Sequence, residues 1–487
     1  MSLRGLVAAA LLAALAFGAH RLWLAVSVGT GFATKMVCSL ALNSGQDPER
    51  VLRTYVSDEI APLGPWLRVG VSPGGAEGSV LGLVRARAVH RDGLGCTLLP
   101  PGAEAALALP EGVAIERPPL DPEIPWPLGA AVPDAPPPPA LDAALARAFA
   151  EPDPPAGHVR RTTAVVVAHG GELVAERYAP GYTPDTPMLS WSMAKSVTAA
   201  LVGIEVGDGR LALFEHAPVP EWSGAADPRH AITLDHLLRM SSGLAFDESY
   251  GPLSDVTRML YRAPDMGAFA ARSPLAAQPG RVWSYSSGTA NLLARMLRDL
   301  ADRDLAAQVR FANERLFDPV GMRSAFFEPD ASGSFVGSSY AFMTARDWAR
   351  FGELHRLGGV WDGRRILPEG WVRYVTTPAP AAPDGVYGAH WWLNAGDPKD
   401  PTHRQWPSLP TDAYAAEGHS GQYVVVVPSA ELVVVRLGLS EPDDGRDGTE
   451  ELVADVIRAL GTEPFNSGSV RPIPPGSPRV AGPPMSP

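Results

Sequence analysis

The alternation of apolar and polar residues predicts strand pairs near both ends of one long region of the chain. Apolar runs at 164–168 and 173–178 flank a Gly-Gly turn, and runs at 422–427 and 432–437 flank a second turn. Other apolar residues recur at helical spacing. The predicted helices are 141–150, 234–240, 291–300, 344–354 and 450–460. Strand pairs around a helical middle predict a mixed α/β chain of the α+β class, with an antiparallel sheet flanked by helices and a mostly helical subdomain.

The N-terminus opens with an apolar segment that fits an export signal. Residues 5–19 carry no charge, and Arg4 precedes them; Arg21 interrupts the pattern before a second apolar stretch at 22–33. A helix of 5–19 spans only about 22 Å, which is less than the ~30 Å hydrocarbon core of a membrane. This length suits the apolar core of a signal peptide. An uncleaved segment could instead act as a single anchor with Arg21 snorkelling, and the remaining alternative is an ordinary buried helix.

Composition along the chain divides it into five predicted segments. Residues 118–139 contain 10 prolines, which excludes a helix or central strand and predicts an extended linker or surface strap. Before it, an Asp92-Gly93 turn and apolar positions with interspersed Arg predict a small β-rich unit. The predicted segments are a signal peptide or membrane anchor at 1–34, a small β-rich N-terminal domain at 35–117, a Pro-rich linker at 118–140, the main domain at 141–465 and a disordered Pro/Gly/Ser-rich tail at 466–487.

Composition also narrows the classes of function. The 487 residues are enough for two domains, and the formal net charge of −12 argues against a nucleic-acid partner. The two cysteines, Cys38 and Cys96, are too few for a disulfide scaffold or a Cys-rich zinc site. An oxidising compartment would allow them to pair, and the alternative is two unrelated buried thiols. Because only three lysines occur (Lys35, Lys195 and Lys399), a lysine beside a nucleophile is informative.

The pair Ser192-x-x-Lys195 is the most informative candidate for chemistry. Residues three apart on a helix share a face, so the hydroxyl and the amine can touch. Serine needs a base nearby, and a lysine can be that base only if its surroundings lower its pKa. Apolar residues at 197–204 would bury the inner face of the helix, and backbone N–H groups at its N-terminus would favour an oxyanion. Taken alone, the pair also fits a helix N-cap serine and a surface lysine.

Two further stretches contain candidate residues in loops rich in small polar residues. Tyr285 lies in the loop 279–288, just before a predicted helix, where its side chain could be held at a cleft wall. The motif His419-Ser420-Gly421 leads directly into the apolar strand at 422–427, where a substrate backbone could approach closely. In isolation, Tyr285 also fits a core tyrosine with a satisfied hydroxyl, and His419 fits a surface histidine in a turn.

Together these motifs resemble the penicillin-binding and serine β-lactamase superfamily. Its three motifs are similar, in chain order, to Ser192-x-x-Lys195, Tyr285-x-Ser287 and His419-Ser420-Gly421. The nearer resemblance is to the β-lactamase-related hydrolases, which include class C β-lactamases, family VIII esterases and 6-aminohexanoate-dimer hydrolases. Further stretches that resemble this group are 237–244, 344–347 and 358–363. The resemblance covers about residues 141–460 and implies a DD-peptidase/β-lactamase-like fold.

The resemblance implies a role for each matched residue. Ser192 would be the acylated nucleophile and Lys195 its proton acceptor, while Tyr285 would relay protons to the leaving group and activate water. The backbone N–H groups of Ser192 and Gln422 would form the oxyanion hole. The residues implied to contact the substrate are Ser287, His419, Ser420 and Gly421.

Two departures from the family pattern weaken a β-lactamase activity. Ser287 stands where the second motif usually ends in Asn, so an amide that would hold the lysine or the substrate is lost. His419 stands where the third motif of true β-lactamases begins with Lys. A neutral histidine attracts a β-lactam carboxylate less than an ammonium does. The serine, lysine and tyrosine of the acyl-transfer machinery are unaffected.

The sequence therefore predicts an exported serine hydrolase that cleaves a small-molecule amide or ester through an acyl-enzyme. Its predicted location is periplasmic or extracytoplasmic, with membrane anchoring by the N-terminal segment as one option. No metal or organic cofactor is expected, because the lysine and the tyrosine handle the protons. Two alternatives stay open: a catalytically silent cell-wall or ligand-binding protein on the same fold, and a β-lactamase or DD-peptidase proper.

Overall fold

The computed structural model describes residues 3–57, 59–101, 103, 113, 117–133, 135–152, 158–397, 399–400, 402–441, 445 and 447–462. Its α-helices are α1 (Leu3–Ser44), α2 (Pro48–Val51), α3 (Pro139–Phe149), α4 (Ala194–Gly207), α5 (Leu234–Leu238), α6 (Asp255–Arg262), α7 (Met266–Ala271), α8 (Ser287–Leu300), α9 (Leu305–Ala312), α10 (Asp318–Val320), α11 (Ala345–Arg356), α12 (Trp371–Val375) and α13 (Thr449–Leu460). Its β-strands are β1 (Leu67–Ser72), β2 (Gly75–Val80), β3 (Val84–Arg91), β4 (Gly95–Leu99), β5 (Thr162–His169), β6 (Glu172–Tyr178), β7 (Met188–Leu189), β8 (Phe326–Phe327), β9 (Ala341–Met343), β10 (Val360–Trp361), β11 (Arg364–Arg365), β12 (Trp392–Leu393), β13 (Tyr414–Gly418), β14 (Gln422–Val427) and β15 (Leu432–Gly438).

An antiparallel sheet of six strands, in the order β12-β13-β14-β15-β5-β6, organises the main part of the chain. Val434 of β15 pairs with Val425 of β14 on one side and with Val167 of β5 on the other. β14 and β15 are buried along their whole length, which explains why their sequences are unbroken apolar runs rather than alternating ones. Both predicted hairpins are confirmed, and their strands extend at most two residues beyond the predicted bounds.

Helices cover both faces of this sheet. α3 and α13 pack on one face, where Leu145, Val453 and Val434 belong to one apolar cluster. α11 packs on the other face, towards which Val433 points. Gly352 permits this close approach, because a Cβ atom there would lie 2.6 Å from Val433 Cγ1. The predicted α+β arrangement, a sheet with flanking helices, is confirmed.

The segments from α4 to α10 form the predicted helical subdomain. α4 is buried over nearly its whole length and packs against α8. α8 begins at Ser287 rather than at the predicted residue 291, because the Ser286 side chain accepts a hydrogen bond from Thr289 N and caps the helix. The helix predicted at 234–240 ends at Leu238.

One continuous helix crosses the division that the sequence predicted at residue 34. α1 runs over Leu3–Ser44 without an internal proline, and its residues 27–40 are buried against the sheet β1-β2-β3-β4 and against α6. α1 therefore runs across the predicted boundary between an anchor and a β-rich domain, and the division of the chain into these two segments stays a prediction. Strands occupy only the stretch from β1 to β4, since helices and turns precede it; the predicted Asp92-Gly93 turn is confirmed between β3 and β4.

The first half of α1 is apolar and exposed. Leu11, Leu12, Leu15 and Phe17 are each more than 60% exposed. By length and composition α1 is apolar enough to cross a membrane, a criterion that a signal sequence also meets. The stretch 3–23 would span about 30 Å at ~1.5 Å per residue, which matches a hydrocarbon core.

The buried carboxylate of Glu328 fastens the second half of α1 to the rest of the protein. It pairs with the Lys35 ammonium. It also accepts hydrogen bonds from Ser39 Oγ at 2.9 Å, Asn43 Nδ2 at 2.8 Å and Cys96 N at 2.6 Å. Three residues of one helix and one strand backbone group thus converge on a single carboxylate, so this junction is specified by charge as well as by packing.

The two cysteines lie at the same junction. Cys38 of α1 and Cys96 of β4 form a disulfide; their Cα atoms are 6.1 Å apart, and the two residues are 58 positions apart in the sequence. Such a bond constrains the unfolded chain by closing a long loop. It ties α1 covalently to the sheet β1-β2-β3-β4.

We expect Glu328→Ala to lower the free energy of unfolding by about 3–5 kcal/mol, because it leaves the Lys35 ammonium buried without its counter-charge. Chemical denaturation of the two proteins measures the difference. Glu77→Ala is the matched control, because the Glu77 side chain is 80% exposed and should cost no more than about 0.5 kcal/mol. Equal effects of the two substitutions would contradict the role assigned to Glu328.

The proline-rich segment lies along the main domain as a surface strap. Arg350 Nε donates to Pro127 O at 2.9 Å. Arg117 donates to backbone carbonyls of 322–325. These contacts hold the segment at its start and near its middle. The tail predicted at 466–487 lies outside the described residues.

Candidate active site

Ser192 lies on a single helical turn, Trp191–Met193, directly before α4. Its side chain is half-buried. Gly418 at the end of β13 packs against this turn, and a Cβ atom there would lie 2.2 Å from Ser190 O and 3.2 Å from Ser192 N. Glycine is therefore needed for the sheet to approach the Ser192 backbone. The hydroxyl stands where the N-terminus of a buried helix meets the sheet.

Lys195 lies one helical turn after Ser192 and is 1% exposed. Its Nζ atom is 2.9 Å from Ser192 Oγ, within the ~2.6–3.2 Å range expected for a nucleophile and its base. The same atom lies 3.1 Å from Ser287 Oγ and 3.0 Å from the carbonyl oxygen of Ser338. The alternative of an N-cap serine with a surface lysine is excluded by this burial and these contacts.

Glu248 completes the surroundings of the lysine, and the sequence analysis did not anticipate it. Its carboxylate accepts hydrogen bonds from Ser287 N at 2.8 Å and from Ser287 Oγ. Ser287 is fully buried and engaged with Lys195 and Glu248, and its predicted contact with the substrate stays a prediction. Glu248 lies four residues after the motif-like stretch 237–244, but nothing in its sequence context distinguishes it from a surface acid.

The hydrogen-bond donors and acceptors around Lys195 leave one arrangement for a neutral amine. The Ser338 carbonyl oxygen can only accept, so it takes one N–H. Ser287 Oγ gives its hydrogen to the Glu248 carboxylate and must therefore accept the second N–H. The amine lone pair is left facing Ser192 Oγ. In this state Ser192 donates its hydroxyl hydrogen to Lys195.

The electrostatic environment shifts Lys195 towards this neutral state. Burial lowers the pKa of Lys195 to about 8, and the nearby Glu248 carboxylate opposes the shift. Burial also raises the pKa of Glu248, against the effects of Lys195 and of the Ser287 hydrogen bonds. Desolvation therefore outweighs the attraction between the two charges. The result is a lysine that titrates much closer to neutral pH than a lysine in water.

We expect kcat/KM for an ester substrate to rise with pH through about 8, because only neutral Lys195 can accept the Ser192 proton. Glu248→Gln should move the midpoint of this rise to lower pH, since the lost negative charge no longer stabilises the ammonium. Asp247→Asn removes an exposed neighbouring carboxylate and should leave the midpoint in place. If the midpoint pH in Glu248→Gln is unchanged or higher, this would contradict the assignment of the rise to Lys195.

Tyr285 closes the other side of the site. Its ring faces Lys195 Nζ at 4.7 Å from the ring centroid, and its hydroxyl interacts with the Ser192 side chain. Tyr387 and Trp392 pack against the ring with centroid distances of 6.0 and 5.5 Å. Burial raises the pKa of Tyr285 well above its ordinary value. The phenol therefore keeps its proton near neutral pH and can act as a donor.

The motif His419-Ser420-Gly421 forms the tight turn between β13 and β14. Gly421 has φ +80°, and a Cβ atom there would lie 1.9 Å from Arg436 Nη1, so no larger residue fits. The His419 ring lies between Trp191 and Tyr250, with centroid distances of 5.4 and 6.3 Å. The predicted His419 side chain thus lies beside the turn that carries Ser192.

Gln422 begins β14 opposite Gly418, the residue that packs on the Ser192 backbone. Its side chain is buried and donates to Gly438 O at 2.6 Å, so the backbone rather than the side chain is available to a ligand. The pairing of the Ser192 and Gln422 N–H groups as an oxyanion hole stays a prediction. Within the described part of the chain, no group of three or more His, Cys, Asp or Glu side chains is placed to hold a metal ion.

Comparisons with known proteins all find similarity to β-lactamases and related hydrolases. The family model described as Beta-lactamase matches residues 143–456. A 6-aminohexanoate-dimer hydrolase of Paenarthrobacter ureafaciens is 25% identical over 326 residues, which cover 61% of this chain and 79% of that protein. Among solved structures, a family VIII carboxylesterase aligns with a TM-score of 0.50 at 16% identity, over 67% of this chain and 99% of its own. EstCE1, a hydrolase with promiscuous acyltransferase activity, aligns with a TM-score of 0.50 at 17% identity, over 65% and 97%.

Proposed function

Because this chain belongs to the Beta-lactamase family of hydrolases, we propose that it cleaves small esters or amides through an acyl-enzyme on Ser192. The observation that carries the proposal is the position of the buried Lys195 amine. Its Nζ atom lies 2.9 Å from Ser192 Oγ and forms two further hydrogen bonds, to Ser287 Oγ and to the Ser338 carbonyl oxygen. A lysine with a purely structural role would not need a serine hydroxyl as its third hydrogen-bond partner.

Acylation begins with proton transfer from Ser192 to Lys195. The Lys195 lone pair takes the hydroxyl hydrogen as Oγ forms a bond to the substrate carbonyl carbon. The carbonyl oxygen becomes negatively charged and is held by the backbone N–H groups of Ser192 and Gln422. The Tyr285 phenol then gives its proton to the leaving oxygen or nitrogen, the bond to the leaving group breaks, and the Lys195 ammonium returns a proton to the phenolate.

Deacylation repeats the sequence with water as the nucleophile. Neutral Lys195 takes a proton from water as the hydroxide attacks the acyl carbon, and Ser192 Oγ leaves with that proton. The raised pKa of Tyr285 speaks against a phenolate as the resting base, so we assign water activation to Lys195 rather than to Tyr285. Ser287 and Glu248 are positioning residues: Ser287 contacts the lysine, and Glu248 holds Ser287 and acts on the lysine through its charge.

The substrate class follows from the third motif. His419 stands at the motif position where true β-lactamases carry a lysine, so we propose simple esters and linear amides as substrates. Purified protein should hydrolyse p-nitrophenyl butyrate or a linear 6-aminohexanoate dimer with a kcat/KM at least about tenfold above that for nitrocefin. A higher value for nitrocefin would favour a β-lactamase proper, and no turnover of any of them would favour the catalytically silent alternative.

We also propose that the protein is exported and held at the membrane by α1. The support is the exposed apolar first half of α1 and the bonded cysteines, which an oxidising compartment would keep paired. Free thiols at Cys38 and Cys96 in protein taken from cells without reductant would contradict this location.

A further inference from the structure

An apolar cavity of about 330 Å³ lies beside the candidate site. Its walls include Trp191, which precedes the nucleophile, and His419 and Ser420 of the third motif. Tyr250 also lines it, and the Tyr250 side chain hydrogen-bonds Glu248. The cavity therefore shares its walls with the groups that surround Ser192. Its volume lies within the ~300–1,000 Å³ range typical of small-molecule sites.

The remaining walls come partly from residues inside the matched region 143–456, such as Pro252, Tyr261 and Leu439, and partly from a part of the chain outside it. Leu22, Val26 and Gly29 line the cavity from α1 at helical spacing, so they present one face of the helix to it. Ile60 and Leu63 line it from the segment that precedes β1. The N-terminal region thus supplies much of the apolar surface of a cavity that borders the hydrolase site.

The cavity begins where α1 would leave a membrane. Leu22 lines it, whereas residues 3–7 and 9–21 are exposed, and the sequence of this stretch is apolar apart from Arg4, His20 and Arg21. Trp23 lies beneath the Arg262 guanidinium, 4.7 Å from the ring centroid. Tryptophan and arginine are residue types that favour the membrane interface. With α1 as the proposed anchor, the cavity would lie at the level at which the hydrocarbon chain of a lipid meets its polar head.

We propose that this cavity receives the hydrocarbon chain of an amphiphilic substrate, a long-chain acyl ester or amide drawn from the membrane, with its carbonyl at Ser192. The inference rests on the proposed function and names the substrate class of the same site. Each methylene of an apolar chain that is moved from water into an apolar cavity makes binding more favourable. A substrate with a long chain would therefore use the apolar wall that a short soluble ester leaves empty.

The test compares p-nitrophenyl laurate with p-nitrophenyl butyrate, using the full-length protein in detergent micelles. The unsubstituted protein should show the higher kcat/KM for laurate. Ala25→Trp places a large side chain on a cavity-lining position of α1 and should lower the laurate-to-butyrate ratio by about tenfold or more. Ala13→Trp puts the same side chain on the exposed half of α1 and should leave the ratio unchanged.

Each outcome separates this inference from the proposed function. No hydrolysis of either ester by the unsubstituted protein would overturn both. Hydrolysis of butyrate with a lower kcat/KM for laurate, or a ratio that Ala25→Trp does not change, would overturn the cavity inference alone. If Ala25→Trp hydrolyses neither ester, Leu63→Asp is the deciding variant, because it introduces a charge into the wall of the cavity without filling the cavity. The laurate-to-butyrate ratio should fall in that variant, and an unchanged ratio would contradict the inference.

Discussion

Replacing Ser192 by alanine should reduce ester hydrolysis by about four to six orders of magnitude, to a residual rate set by substrate binding and the oxyanion site alone. The physical reason is that Ser192 Oγ is the atom that Lys195 and Tyr285 both contact. Without it, neither the lysine lone pair nor the tyrosine proton has a nucleophile to act on. The measurement is kcat/KM for p-nitrophenyl butyrate in the variant and in the unsubstituted protein.

Ser223→Ala is the matched control for this experiment. Ser223 lies in an exposed turn, where its hydroxyl donates only to Pro220 O. Its loss should change kcat/KM less than twofold, since it touches no group of the site. A Ser192→Ala variant that keeps more than about a tenth of the activity would show that another residue is the nucleophile.

Replacing Lys195 by alanine should reduce kcat/KM by about 10²–10⁴-fold, which is the usual contribution of a general base. Lys195→Arg should be as inactive, because a guanidinium keeps the positive charge but cannot give up a proton near neutral pH. The second variant separates a proton acceptor from a residue that only supplies charge. Lys399→Ala removes an exposed lysine and should leave the rate unchanged.

The pH dependence of the residual activity gives a further check on Lys195. The rise through about pH 8 should disappear in Lys195→Ala, because the group that titrates there is gone. Substantial activity in Lys195→Arg, or a pH profile that survives in Lys195→Ala, would contradict the assignment of Lys195 as the base.

The sequence predicted those parts of the fold and of the site that depend on local pattern. The valine runs of β14 and β15 mark buried strands because every side chain of those strands is inside. The spacing of Ser192 and Lys195 predicted their contact because a helical turn brings such residues together. Both inferences need only the geometry of one element.

The rest depends on contacts between segments far apart in the chain. Glu248 contacts Ser287, which is 39 positions away in the sequence, and Glu328 contacts Lys35, which is 293 positions away. No local sequence spacing predicts either pair. The continuity of α1 past residue 34 was missed for a similar reason. Its second half is stabilised by the sheet β1-β2-β3-β4 and by Glu328 rather than by a pattern of its own.

Covalent labelling tests most directly whether Ser192 is an activated nucleophile. The protein would be treated with a fluorophosphonate probe at pH 8, digested, and its labelled peptides identified by mass spectrometry, with Lys195→Arg treated in parallel. We predict a single adduct on Ser192 in the unsubstituted protein and labelling that is strongly reduced in Lys195→Arg. An adduct on a different serine, or a Ser192 that stays unlabelled in folded protein that hydrolyses esters, would contradict this account.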